Sequence, residues 1–277
     1  MREDAFPATI ELPNGLRLPY AESGDPDGMP VLLLHGYTDS WRSFAPLMAA
    51  LPPHLRAIAL SQRGHGEASR PATGYAPGDY AADLAALMRA LGLGPALVVG
   101  HCMGAQVAQR FALDHPALVR GLVLIGAYRT MRGNPVVQAL WEEVAALADP
   151  VPPGFAREFQ ESTLARPVPP AFLDTVVDES LKLPARVWRA ALAGLTAAGV
   201  PAGLEGIRAP TLLLWGDRDA LIPEAEQEAL AAAIPGARRV THAGGGHSPH
   251  WEDPARVAAE IAGFAASLAR EAAAPVA

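Results

Sequence analysis

Cysteine is almost missing from this chain of 277 residues: there is one, Cys102. A single thiol cannot close an internal disulfide, so a disulfide scaffold is excluded and a reducing compartment is expected. Charge is scarce as well, 18% of residues against 50% hydrophobic, which argues against extended disorder and allows a sizeable core. Lysine and arginine form no run and the net charge is -7, so neither nucleic acid nor an anionic membrane is an expected partner. No stretch of about 18 apolar residues is present to cross a bilayer. Met1-Arg2-Glu3-Asp4-Ala5-Phe6-Pro7 lacks the apolar centre of a signal peptide, and a cytoplasmic location is expected. Metal-ligand spacing and the Gly-x-Gly-x-x-Gly phosphate pattern are both missing. The expectation is therefore no metal, no cofactor and a small-molecule substrate; oligomeric state is not legible.

What is present is a regular alternation. Thr9-Ile10-Glu11-Leu12, the turn Pro13-Asn14-Gly15 and residues 16–22 read as a β-hairpin. Continuous apolar runs at 31–34, 96–99, 121–125 and 210–215 look like strands buried on both faces. Further strands are expected near 56–60 and 238–241, with helices near 40–50, 79–91, 103–113, 223–234 and 254–270. This predicts an α/β fold with a mainly parallel, doubly wound sheet of about eight strands.

The alternation stops at Tyr128. Residues 129–205 carry amphipathic stretches and proline clusters without a strand, which predicts a helical cap inserted after the sixth strand. The α/β core is then 1–128 and 206–277. Pro150-Val151-Pro152-Pro153-Gly154-Phe155 and Pro167-Val168-Pro169-Pro170-Ala171-Phe172 are expected to start helices, because proline suits the first turn.

Cys102 sits in Gly100-His101-Cys102-Met103-Gly104, between an apolar strand and a helix. Gly-x-nucleophile-x-Gly at that junction is the pattern of a nucleophile elbow, with sulfur in the reactive position. Gly100 and Gly104 leave room for a sharp turn packed against its neighbours, and the helix N-terminus favours negative charge on sulfur or on a bound oxyanion. An acid and an imidazole follow in the chain order such sites require. Gly216-Asp217-Arg218-Asp219 comes after the strand ending at Trp215, and Gly244-Gly245-Gly246-His247 lies between the last strand and the last helix.

On these motifs the chain resembles the α/β-hydrolase superfamily along nearly its whole length, in particular the capped branch of esterases, lactonases and C–C bond hydrolases. The resemblance implies Cys102 as nucleophile, His247 as general base and Asp219 as the acid that orients it, with Asp217 a turn former. It implies an oxyanion hole made by the backbone N–H groups of Tyr37 and Met103, with Gly36 of His35-Gly36-Tyr37 letting the loop approach the substrate oxygen. Ser61-Gln62-Arg63-Gly64-His65-Gly66 resembles a loop that buttresses this fold.

Sulfur restricts the chemistry. A thiolate forms easily but is also a good leaving group, so esters with good leaving groups, thioesters and strained lactones are favoured over amides. Hydrolysis through an acyl-cysteine is the leading expectation; acyl transfer, C–C bond hydrolysis and a slow ligand sensor on the same fold remain open. His101, Trp141, Phe155, Phe159, Trp188, His250 and Trp251 are candidate cleft residues, and the cap's cations are Arg129, Arg132, Arg157, Arg166, Lys182, Arg186 and Arg189.

Overall fold

The computed structural model describes the backbone of residues 6–273. Eight strands form one sheet: β1 (Phe6–Glu11), β2 (Arg17–Ser23), β3 (Met29–Leu34), β4 (Leu55–Leu60), β5 (Ala96–His101), β6 (Val119–Ile125), β7 (Thr211–Gly216) and β8 (Arg238–His242). Their order across the sheet is β1-β2-β4-β3-β5-β6-β7-β8. The hairpin β1–β2 is antiparallel, β2 meets β4 antiparallel, and every later pairing is parallel.

Successive side chains of a strand point to opposite faces, so the apolar runs fill two cores at once. Leu32, Leu34, Val98, Leu122, Leu124 and Leu213 belong to one core. Val31, Leu33, Leu97, Val99, Val123, Leu212 and Leu214 belong to the other. Helices α1 (Ala45–Ala50) and α10 (Pro254–Ala273) pack together over the second face. Helices α2 (Pro77–Ala90) and α3 (Met103–Asp114) cover the first, where buried Arg63 forks onto Asp83 of α2 at 2.6 Å through both Nε and Nη2.

Between β6 and β7 the chain makes α4 (Pro135–Ala146), α5 (Pro153–Ser162), α6 (Pro170–Leu181) and α7 (Ala185–Ala197). Both proline clusters begin helices, α5 at Pro153 and α6 at Pro170. The chain then re-enters the sheet at β7; α8 (Glu224–Ala233) joins β7 to β8, and the short α9 (Pro249–Glu252) lies between β8 and α10. Among the described residues no helix is long and apolar enough to cross a membrane.

Candidate active site

The parallel strands β3, β5, β6 and β7 all deliver their C-terminal ends to one edge of the sheet, where ligands of such sheets bind. Cys102 stands at the end of β5 with φ 49° and ψ -110°, a backbone conformation that costs a side-chain-bearing residue of the order of 1–3 kcal/mol. The turn is held by the surrounding packing. A Cβ on Gly104 would lie 2.0 Å from the Leu34 carbonyl oxygen, and one on Gly100 would lie 2.3 Å from the Gly104 carbonyl oxygen. Only glycine lets α3 start this close to β3 and β5.

Asp219, on the loop after β7, is buried and fully bonded. Its Oδ1 accepts from the Leu221 and Ile222 backbone N–H groups at 2.8 and 2.9 Å, and its Oδ2 accepts from His247 Nδ1 at 2.7 Å. Nδ1 therefore carries a proton, leaving Nε2 as the atom free for chemistry; it is buried and has no hydrogen-bond partner. Burial opposes charge on this imidazole, but the Asp219 carboxylate and the neighbouring Cys102 sulfur outweigh it and raise the His247 pKa well above the ordinary range. Asp217 does different work, accepting from the Gly244 N–H at 2.6 Å to close its loop on the next one.

The oxyanion loop follows β3. His35 takes the Gln62 N–H on Nε2 at 2.9 Å and donates from Nδ1 to the Gly36 carbonyl at 2.8 Å, a structural role under the loop. Among the described residues neither the Tyr37 nor the Met103 backbone N–H donates a hydrogen bond. Tyr37 is fixed from above, its hydroxyl donating to the Trp188 carbonyl of α7 at 2.7 Å.

A cavity of about 340 Å³ opens over Cys102 and His247. Of the expected cleft residues, His101, Phe155, Phe159 and Trp251 line it. Trp141, Trp188 and His250 do not. Trp141 is partly exposed on the outer side of α4, and Trp188 is fully buried as the packing centre for Tyr37, Phe155 and Phe159. His250 is packed between Phe44 and His101, its pKa lowered to about 3 by burial and by His247. Nor do the cap's cations reach the cavity. Arg129 pairs with Glu226, Arg157 with Asp174, and Lys182 with Glu67 and Glu179. Arg132, Arg166, Arg186 and Arg189 donate to backbone carbonyls elsewhere.

The motifs do not single out two buried polar residues of the cavity, Asp39 and Gln160. Asp39 is buried, its Oδ1 accepting from Gln160 Nε2 of α5 at 3.0 Å and its Oδ2 lying 4.0 Å from His101 Nδ1. Burial raises its pKa to about 7 against the pull of Gln160, the Gly36 backbone and His247. The available signal was an acid in the otherwise neutral turn Tyr37-Thr38-Asp39-Ser40 after a buried strand, where Thr38 adopts φ 66°.

Comparison with known proteins agrees with this fold. The family described as alpha/beta hydrolase fold matches residues 29–254. A pimeloyl-[acyl-carrier protein] methyl ester esterase of Xanthomonas oryzae is 30% identical over 260 residues, spanning 87% of this chain and 96% of that protein. A 2-(acetamidomethylene)succinate hydrolase of Mesorhizobium japonicum is 44% identical over 98 residues, a match spanning only 35% of each chain. Among solved structures, an esterase from Rhodococcus superposes with a TM-score of 0.83 at 27% identity, covering 95% of this chain and 99% of that one.

Proposed function

Because this chain belongs to the alpha/beta hydrolase fold family, we propose that it hydrolyses a carboxylic ester, thioester or lactone with an apolar body through an acyl-cysteine on Cys102. Family membership and esterase relatives make it an enzyme of the hydrolase class. One observation supports the choice of nucleophile and bond: the only thiol of the chain sits at a strained strand-to-helix turn beside an imidazole already oriented by a buried carboxylate.

The steps follow from the atoms present. His247 Nε2 takes the Cys102 proton, a transfer favoured by the raised proton affinity of the imidazole. Sulfur attacks the carbonyl carbon, and the negative oxygen is met by the Tyr37 and Met103 N–H groups. As the intermediate collapses, the carbon–oxygen or carbon–sulfur bond to the leaving group breaks and His247 returns the proton to that group. Water then attacks the thioester with His247 as base. The second collapse releases the acid and restores the thiol. A predominantly apolar cavity of this size suits a small to medium acyl group.

Intact mass spectrometry after rapid mixing with p-nitrophenyl esters, thioesters and lactones tests this reading. The expected result is an added acyl mass on the wild-type chain that is absent in Cys102→Ala, with turnover falling at least about a thousandfold in Cys102→Ala and His247→Ala. Turnover that survives Cys102→Ala would overturn it. Product analysis with added alcohols or amines separates hydrolysis from transfer to a second acceptor.

A further inference from the structure

Apart from the catalytic His247, the charged side chains around the cavity are of one sign. Asp39 lies buried within it, while Glu143 on α4 and Glu158 on α5 line it from exposed positions. Among the described residues no lysine or arginine lines it, and all seven cap cations are bonded elsewhere. A carboxylate placed beside Asp39 would meet like charge, and the one cation in reach, His247, is already paired with Asp219; removing a carboxylate from water without a partner of its own is costly.

A second observation concerns His101. Its Nε2 donates to the His247 carbonyl at 3.2 Å, so that nitrogen carries the ring proton. Burial first, then the neighbouring His250 and His247, hold its pKa well below the ordinary range and keep the ring neutral. Nδ1 is therefore a bare lone pair, buried, without a hydrogen-bond partner, on a residue that lines the cavity. Asp39 Oδ2 lies 4.0 Å from it. Two acceptors thus converge beside the elbow. His101 Nδ1 is the one without a donor, and Asp39 already accepts from Gln160 but keeps further acceptor capacity, so a hydrogen-bond donor is what suits this end of the cavity.

We propose that the acyl group taken by this site is apolar with a hydrogen-bond donor, a protonated amine or a hydroxyl, that meets Asp39 and His101 Nδ1, and that acyl groups ending in a carboxylate are refused. This assigns Asp39 and His101 to specificity and rests on the acyl-cysteine reading for its turnover arm. Glu143 and Glu158 add a negative entrance that favours the approach of cations.

The test has two arms. In the first, thioesters with one leaving group and acyl chains of equal length ending in methyl, amino or carboxyl groups are compared by kcat/KM. The amino-ended chain is expected to exceed the carboxyl-ended chain by about 100-fold, and Asp39→Asn to shrink that ratio about tenfold or more. In the second, Cys102→Ala is titrated with hexylammonium and with hexanoate by calorimetry. Hexylammonium is expected to bind at least about tenfold more tightly, a preference that Glu143→Lys with Glu158→Lys at the exposed positions reduces. Hexanoate binding as tightly as hexylammonium, or neither binding, overturns the proposal. Because the second arm needs no acyl transfer, failure of the acyl-cysteine reading shows only in the first, as absent turnover of all three thioesters, and leaves the binding preference intact.

Discussion

Asp39 illustrates how one buried side chain can tax stability for the sake of a site. Its pKa in the folded protein is about 7, raised by burial above the value of 3.8 expected for an unfolded chain. The folded state therefore binds this proton more tightly than the unfolded state. The stability this contributes is complete below about pH 4 and is lost as pH rises through 7. Asp39→Asn, which keeps an acceptor for Gln160, is expected to match the wild type in urea denaturation at pH 4. By pH 8 it should be the more stable protein, by a margin of the order of 4 kcal/mol. A stability difference that does not grow with pH would mean that Asp39 is ionised without penalty. The residue was hard to see in the sequence for a physical reason. Its main partner, Gln160, is 121 positions away on a different segment, and burial of both is a product of tertiary packing.

Individual elements were more legible, because strand and helix periodicities are local. The strands expected at 31–34, 121–125 and 238–241 match β3, β6 and β8 to within a few residues, and the elbow pattern correctly placed a strand before Cys102 and a helix after it. Helix α7 is harder to delineate from sequence, because Gly194 within Ala185–Ala197 is a weak helix former. Its glycine has a packing reason: a Cβ there would lie 1.9 Å from the Tyr75 carbonyl oxygen. Aromatic identity alone misled at Trp141 and Trp188, because which face of a cap helix meets the cavity is decided by neighbours distant in sequence. At this scale the elbow glycine yields a clear expectation. Gly104→Ala must push α3 away from the Leu34 carbonyl, and its midpoint in urea should fall by an amount equivalent to about 3 kcal/mol or more, with loss of activity. An unchanged midpoint would show that the elbow has slack.

Across the whole molecule, the helical segment and the loop of His247 are stitched together. The His247 N–H donates to the Thr163 carbonyl at 2.9 Å, just past α5. Glu252 accepts from the Ala165 N–H at 2.7 Å and from the Gly246 N–H at 2.9 Å, joining the same two segments through one carboxylate. Glu252→Ala should leave the fold intact by circular dichroism while lowering kcat about 10- to 100-fold, because the imidazole loses the frame that aims it. Retention of full kcat would place that frame in the Asp219 bond alone. The run of helices between β6 and β7 is visible in the sequence as a break in alternation; these ties are not, because they join residues far apart in the chain.

The one-signed lining of the cavity also bears on what happens after the chemistry. Under the proposed function, hydrolysis of a neutral ester would generate an anion next to Asp39 and below Glu143 and Glu158, where among the described residues no lysine or arginine lines the cavity and His247 is already paired with Asp219. Weak inhibition by the product acid is the expected consequence, measured by adding that acid to the assay.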